Sequence, residues 1–263
     1  MLPVLEAISL VHHFPLIGGS THPILVNVDE GGELAQYVVK IFKTQTLQQY
    51  DAVAHEVYGN VLAREFDLLT PDAAFINFGN PFLKSLPTWA KTLLRNRDTR
   101  VKFGTRYISP TVPYSPALPY QYFKLYDIET IYAFDAMIFN GDRKINKPNI
   151  IFSGTDGYLI DHEQTMEIFT VRYEKAMEGK LIFPKAEHIF YQYLRQRRGK
   201  SASYFETFHH YLKAMRPKIL TSYAQQLEYF GHGSSNFQLT LDYLSAAKGN
   251  AEKFVETIHA TLL

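Results

Sequence analysis

Three polar side chains beside short apolar runs are the first candidates for chemistry in this sequence. Asp142 and Asn149 lie in the stretch FNGDRKINKPNIIF, and Asp161 ends the strand-like run of GYLIDHE. A carboxylate near a reacting hydroxyl, with an amide and a second carboxylate as oxygen ligands, suits Mg²⁺ and phosphoryl transfer. Residues of these types also cap ordinary turns between strands, so each of them alone has a structural alternative.

A lysine and a glutamate upstream extend this pattern. Lys40 lies in the strand-like run YVVKIFK, and Glu56 follows in the helix-like run VAHEVYGNVLARE. A lysine that binds nucleotide phosphates inside a cleft needs a carboxylate partner, because a desolvated ammonium is costly. A lone lysine in a strand more often points to solvent at a sheet edge. The whole order, from strand lysine to strand-end aspartate, is nevertheless that of a kinase-type site.

A glycine turn, GGST, precedes the first strand-like run. Gly18, Gly19, Ser20 and Thr21 would bring backbone amides close to phosphate oxygens, because glycine has no Cβ. Such turns are also common on protein surfaces. Together with Lys40, the turn predicts a site for nucleotide phosphates.

The elements that must position these residues form a β-rich first part and a helical second part. The alternating runs PILVNVD and QYVVKIFK predict a β-hairpin, and DAAFINF predicts a strand after Pro71. Helical spacing predicts one helix over 48–66 and another over 127–139, with Asp127 as the N-cap of the second. NIIFSG and GYLIDH predict two short strands around a turn, and the chain after Phe169 is mainly helical.

Composition narrows the class of protein. A chain of 263 residues with 46% apolar and 20% charged residues is typical of a globular protein with a buried core. With a net charge of +1, neither nucleic-acid binding nor membrane binding follows from the overall charge. The absence of cysteine excludes disulfides, thiolate metal sites and a cysteine nucleophile. With no signal peptide and no apolar run long enough to span a bilayer, we expect a cytoplasmic protein.

The same residues resemble a known family. The runs PLIGGSTHPILVNVD, YVVKIFK, AHEVYGNVLAREFDLLTPDAAFI, FGTRYIS and AFDAMIFNGDRKINKPNII…LIDHEQTMEIF are similar to the HipA-like kinase domain in its short form. The similarity covers about residues 16–169 in order, and the remaining residues resemble the family only in being helical. The catalytic loop is more distantly similar to that of phosphatidylinositol kinases, which share the Asp-Arg pair and a later Asn.

The resemblance implies an α+β, bilobal, protein-kinase-like fold. A small β-rich N-lobe would occupy residues 1–80, and a larger, mainly helical C-lobe would occupy residues 81–263. The C-lobe would comprise a linker or insertion (81–120), the catalytic and metal segment (121–169) and a helical C-terminal part (170–263).

The resemblance also implies an ATP-dependent phosphotransferase, best described as a serine/threonine protein kinase related to toxin–antitoxin systems, with ATP and Mg²⁺ as its cofactors. Lys40, paired with Glu56, would contact the phosphates. Asp142 would be the catalytic aspartate, and Asn149 and Asp161 would hold Mg²⁺. A protein substrate and an antitoxin or other regulatory partner follow from this reading. The alternatives are a pseudokinase that binds nucleotide or a partner, and a kinase for a small-molecule or lipid hydroxyl.

Two departures from the protein-kinase pattern bear on these roles. The protein-kinase loop has its Asn five positions after the catalytic Asp, whereas Asn149 follows Asp142 by seven positions and Asn146 by four. Asn149 is preferred because it adjoins the predicted strand. The sequence Asp161-His162-Glu163 replaces the DFG-type motif, so a flipping activation segment is not expected.

Overall fold

The computed structural model describes residues 1–11, 21–123, 125–167, 170–178, 180, 183–197 and 204–262. The chain is α+β and contains two compact units. Unit 1 comprises Met1–Val57, Pro71–Ser109 and Ser222–Ser234, and unit 2 comprises Tyr58–Thr70, Pro110–Thr221 and Ser235–Leu263. These units are discontinuous in sequence, whereas the lobe boundary predicted at residue 80 is a single cut, and that boundary stays a prediction.

Unit 1 contains a closed five-stranded barrel. Its strands are β1 (Val4–Leu10), β2 (Ile24–Glu30), β3 (Glu33–Val39), β4 (Ala73–Asn77) and β5 (Lys102–Arg106). They pair in the order β1-β2-β3-β5-β4, and β1 closes the barrel by pairing with β4 in parallel. Alternate side chains of β2 and β3 point inward and are fully buried, so the barrel encloses its own apolar core.

The turn between β2 and β3 shows why this hairpin forms. Gly31 and Gly32 make a two-residue loop with φ of +70° and +95°, a conformation that glycine adopts without a steric penalty. The Asp29 carboxylate accepts a hydrogen bond of 2.6 Å from the Gly32 amide. The predicted β-hairpin is confirmed. Strands β1 and β5, which no local signal had indicated, complete the barrel.

The single helix predicted over 48–66 is instead two helices. These are α1 (Thr44–Gln49) and α2 (Ala52–Glu65). Tyr50 separates them because its backbone is extended, with φ of −135° and ψ of 141°. Two further short helices, α3 (Asn80–Ser85) and α4 (Thr88–Leu94), lie in the segment predicted as a linker or insertion.

Unit 2 contains a small antiparallel sheet and most of the remaining helices. The sheet has the order β6 (Val112–Pro113), β7 (Ile150–Ser153) and β8 (Asp156–Leu159), so the two predicted strands around a turn are confirmed. The remaining helices are α5 (Tyr120–Phe123), α6 (Ile128–Met137), α7 (Thr170–Met177), α8 (Tyr191–Arg197), α9 (Glu206–Ala214), α10 (Leu220–Tyr229), α11 (Phe237–Gly249) and α12 (Ala251–Ala260), with 3-10 turns at Lys185–Glu187 and Pro217–Ile219. Among the described residues, none of these helices is both long enough and apolar enough to cross a bilayer.

Helix α6 leads directly into the loop that carries the candidate chemistry. Its predicted N-cap is confirmed, because the Asp127 side chain accepts a hydrogen bond of 3.0 Å from the Thr130 amide. Every residue from Thr130 to Met137 is buried, including the carboxylate of Asp135. A buried helix therefore provides a rigid support for the residues that follow it.

Candidate functional site

The loop between α6 and β7 brings two of the predicted site residues into contact. Asp142 and Asn149 are both buried. The side-chain nitrogen Nδ2 of Asn149 lies 3.3 Å from the backbone carbonyl oxygen of Asp142 and 3.4 Å from Asp142 Oδ2. Asn146, the alternative metal ligand, is exposed. The geometry therefore places Asn149, and not Asn146, beside the candidate catalytic aspartate.

Lys147 joins this pair to Asp161. Its ammonium lies 2.5 Å from Asp142 Oδ2 and 2.9 Å from Asp161 Oδ2. The Glu163 carboxylate is close as well, with an oxygen within 4.8 Å of an Asp161 oxygen. We call Asp142, Lys147, Asn149, Asp161 and Glu163 the outer cluster.

The charge of Lys147 is stabilised by its neighbours. Partial burial alone would lower the pKa of the lysine, but the carboxylates of Asp161 and Asp142 have the larger combined effect and raise it. Lys147 is therefore a cation at neutral pH, held between two carboxylates.

Two members of the outer cluster have left-handed backbone conformations. Asn149 has φ of +48° and Asp161 has φ of +63°. Asn and Asp tolerate this region better than other non-glycine residues, and such positions are common at functional sites. The prediction that Asp161 ends a strand is wrong by two residues, because β8 ends at Leu159 and the chain turns away from the extended conformation at Asp161.

A second polar cluster lies beneath the outer cluster and is fully buried. Asp135 accepts hydrogen bonds from Asn140 Nδ2 (2.7 Å) and from Arg143 Nε (2.6 Å). His188 Nε2 lies 2.9 Å from Asp135 Oδ2, and His188 Nδ1 accepts from the Phe190 amide at 3.2 Å, which assigns the proton to Nε2. We call Asp135, Asn140, Arg143 and His188 the inner cluster.

The inner cluster fixes the backbone from which the outer cluster projects. The Arg143 guanidinium donates to the Asn149 carbonyl oxygen. Asn140 Oδ1 accepts from the Asp142 amide at 3.1 Å. Because both bonds reach the main chain, the positions of Asp142 and Asn149 depend on side chains that are themselves shielded from solvent.

Burial and charge act in opposite directions on the inner cluster. Burial would raise the pKa of Asp135, but Arg143 and His188 more than offset it and lower the pKa to about 2. Burial also lowers the pKa of His188, and this effect exceeds the opposite influence of the Asp135 carboxylate. Asp135 is therefore ionised and His188 neutral near pH 7.

Unit 1 contains the predicted lysine–glutamate pair. The Lys40 ammonium contacts Glu56 Oε1 from α2, and the two side chains are 15% and 3% exposed. Lys40 lies one residue beyond the end of β3, so its predicted position inside the strand is wrong by one residue. Its amide still donates to the Phe103 carbonyl of β5 at 3.1 Å, which fixes the base of the side chain.

The predicted phosphate turn is described only at its last residue. Gly18, Gly19 and Ser20 lie outside the described residues. Thr21 is buried, and its carbonyl accepts a hydrogen bond of 3.0 Å from the Ile41 amide. The end of the GGST turn therefore lies next to the segment that carries Lys40.

Sequence reasoning gave no site role to six residues of the two clusters, among them Lys147, Asp135 and His188. Lys147 occupies the position five residues after Asp142, where the protein-kinase pattern has its asparagine. Asp135 carried a readable signal, because a carboxylate within the otherwise apolar run IYAFDAMIF must find a partner when the helix is buried. His188 carried none, since it lies far along the chain from the loop it supports.

The donor set of the outer cluster fits a magnesium ion. Mg²⁺ prefers oxygen ligands, and the carboxylates of Asp161 and Glu163 have oxygens within 4.8 Å of each other. Asn149, which contacts Asp142, adds an amide oxygen to the donor types of the cluster. Thiolate and imidazole ligands, which would favour a softer metal, are not among these residues.

Polar residues in the loop after a buried helix are typical of kinase-like proteins, and so is a lysine at a strand end that pairs with a helix glutamate. The sequence model described as HipA-like kinase matches residues 14–228, and the chain belongs to this family. The crystal structure of the Helicobacter pylori proinflammatory kinase CtkA is similar to this chain with a TM-score of 0.52 and 11% sequence identity, covering 97% of this chain and 98% of that one. A search of curated proteins finds no match.

Proposed function

We propose that the chain is a Mg²⁺- and ATP-dependent serine/threonine protein kinase. The observation that carries this proposal is the convergence of Asp142, Asn149 and Asp161 in one hydrogen-bonded cluster, although they are spread over twenty residues of sequence. Phosphoryl transfer needs a carboxylate near the acceptor hydroxyl and oxygen ligands for the metal, and these residue types meet both needs. Membership in a family of kinases supports the same activity.

Each residue has a distinct role in this proposal. Asp142 orients the acceptor hydroxyl and accepts its proton. Asn149 and Asp161 hold Mg²⁺, which neutralises phosphate charge when it is bound. Lys40 binds the nucleotide phosphates, and Glu56 keeps its ammonium oriented.

The acceptor and the regulatory partner rest on the family alone. A Ser or Thr of a protein is the acceptor we propose, and an antitoxin-like protein is the partner we propose. Phosphoamino-acid analysis of the labelled product would distinguish a protein hydroxyl from a lipid or small-molecule hydroxyl.

The test is transfer of labelled γ-phosphate from ATP with Mg²⁺, to the chain itself or to proteins of a cell extract. We expect Asp142→Ala to reduce transfer by about 10²–10⁴-fold with nucleotide binding retained, because its role is in the chemical step. Asp161→Ala should weaken binding of Mg²⁺-ATP as well as transfer. Asp156→Asn is the matched control, since this carboxylate begins β8, five residues before Asp161, and accepts hydrogen bonds from the side chains of Thr155 and Tyr158.

The outcomes separate the candidate functions. Transfer by the wild type that is lost in both cluster variants and kept in Asp156→Asn supports a kinase. Binding of ATP without transfer to any protein supports a pseudokinase that acts as a nucleotide-binding module. A folded wild type that binds no nucleotide contradicts both.

A further inference from the structure

Lys147 is the one cation that the outer cluster contains. Its ammonium is in hydrogen-bonding distance of Asp142 and Asp161 at once. The lysine side chain is 37% exposed, and the two carboxylates are 12% and 18% exposed. A positive charge thus lies on the same Asp161 carboxylate that the proposed function assigns to Mg²⁺.

A divalent ion and an ammonium compete for such a carboxylate. Mg²⁺ binds oxygens directly at about 2.0–2.1 Å and demands a regular octahedral geometry. The Asp161 Oδ2 oxygen is already in a hydrogen bond with Lys147. In addition, a metal bound there is repelled by the lysine charge a few ångströms away.

The backbone around Lys147 is fixed while its side chain is free to move away. Lys144 and Lys147 exchange two backbone hydrogen bonds of 3.0 Å each, which close a tight four-residue loop. Pro148 follows and restricts the chain further. The long, flexible lysine stem nevertheless lets the ammonium leave Asp161 without any movement of the main chain.

We propose that Lys147 is a resident cation that holds Asp142 and Asp161 together and competes with the divalent metal for Asp161. This inference rests on the proposed function, because it needs the metal site assigned there. Lys147 is a positioning residue in this role: it acts through the two carboxylates. With a metal on Asp161, the Lys147 ammonium would keep its contact with Asp142 and give up its contact with Asp161.

The test measures metal affinity and not only activity. Mn²⁺ is the probe, titrated into the purified full chain and followed by electron paramagnetic resonance, with and without a non-hydrolysable ATP analogue. Lys147→Met removes the charge and keeps most of the stem, and Lys147→Arg keeps the charge. Lys144→Met is the matched control, because this neighbouring lysine pairs with the exposed Glu187 at 3.1 Å, away from the outer cluster.

We expect Lys147→Met to tighten Mn²⁺ binding by about ten- to thirtyfold, the size of the repulsion between a single and a double charge separated by about 4–6 Å in water. Lys147→Arg and Lys144→Met should stay within about twofold of the wild type. A lysine with a merely structural role would give the opposite sign, since its loss would loosen the carboxylates and weaken metal binding. Lys147→Gln serves as a second uncharged variant if the methionine variant does not fold.

The results for the two proposals are distinguishable. Mn²⁺ binding that is equal or weaker in the uncharged variants, with a wild type that binds Mn²⁺, overturns the role of Lys147 alone. A folded wild type that binds no Mn²⁺ in either condition overturns the metal site and the role of Lys147 together. Tighter binding in Lys147→Met, in a protein that transfers no phosphate, supports the role of Lys147 and contradicts only the kinase activity.

Discussion

The inner and outer clusters follow the same arrangement and differ in their exposure to solvent. Each places a cation against carboxylates, with Arg143 bound to Asp135 in one and Lys147 bound to Asp142 and Asp161 in the other. Arg143 and Asp135 have no exposed side-chain surface, whereas Lys147 is more than one-third exposed. Residues of the loop between α6 and β7 therefore take part in two ionic networks, one buried and one in contact with solvent.

The choice of cation matches this difference. Arginine has a planar guanidinium with several donors in fixed directions, and Arg143 uses them on Asp135 and on the Asn149 carbonyl. Lysine has a single charged end on a flexible stem. The network closed to solvent thus uses arginine, and the network that we propose a metal rearranges uses lysine. The buried network positions the backbone, and the exposed one contains the side chains to which the proposed function gives catalytic and metal-binding roles.

The largest expected effect comes from breaking the inner cluster. Arg143→Met leaves the Asp135 carboxylate buried without its cation, which typically costs about 3–5 kcal/mol. Lys147→Met opens a pair in contact with solvent and should cost less than about 1 kcal/mol. Urea denaturation of both variants measures the difference. Equal losses of stability would contradict the distinction between the two clusters.

The next largest effect is expected at acidic pH, where protonation first of His188 and then of Asp135 weakens the inner cluster. His188 has a lowered pKa in the folded chain, so below about pH 6.5 the unfolded state binds more protons and stability falls as pH falls. Asp135, with its pKa near 2, adds about 2 kcal/mol of stability that is present above pH 4 and lost as pH falls toward 2.

The measurement is the urea midpoint of wild type and His188→Gln between pH 7 and pH 5. The variant removes the titrating ring, so its stability should depend less on pH in this range. His232, whose pKa burial also lowers, contributes in both proteins and cancels in the comparison. An unchanged slope in His188→Gln would show that the His188 ring does not carry this dependence.

The elements with local signals could be predicted from the sequence. The β2–β3 hairpin has an alternating pattern and a Gly-Gly turn, and α6 has an aspartate N-cap. Each of these signals lies within a few residues of the element that it indicates. Strand β1 pairs with β2 and with β4, and the second pairing could not be predicted in this way, because β4 lies far along the chain, with Val4 opposite Phe75. Strand β5 lies in a stretch rich in Lys and Arg, where the pattern of side chains does not reveal a strand.

The candidate site likewise contains residues that the sequence indicates and contacts that only the folded chain shows. Asp142, Asn149 and Asp161 were named from residue types and order, and whether they act as proposed stays a prediction. The bond of Lys147 to Asp161 and that of Asp135 to His188, which are 53 positions apart, depend on the folded chain. No spacing rule along the sequence contains them. The sequence thus indicated the groups that would react, and the structure added those that hold them.

Packing behind the outer cluster gives a smaller expected effect than the loss of Arg143 from the inner cluster. A Cβ added at Gly59 of α2 would lie 2.5 Å from Cβ and 2.6 Å from Cγ of His162, the buried residue after Asp161. Such overpacking costs about 1–3 kcal/mol, which exceeds the helix propensity of up to about 1 kcal/mol that alanine adds.

Gly59→Ala should therefore lower the urea midpoint and weaken Mn²⁺ binding several-fold, because a displaced His162 carries Asp161 with it. Gly249→Ala is the matched control, since nothing lies within 4 Å of a Cβ at this last residue of α11, and alanine there should raise stability slightly. If Gly59→Ala is also stabilising and its Mn²⁺ affinity is that of the wild type, the outer cluster does not depend on the packing of α2 against His162. The contrast between a supported inner cluster and an adjustable outer one would then rest on Lys147 and its exposure alone.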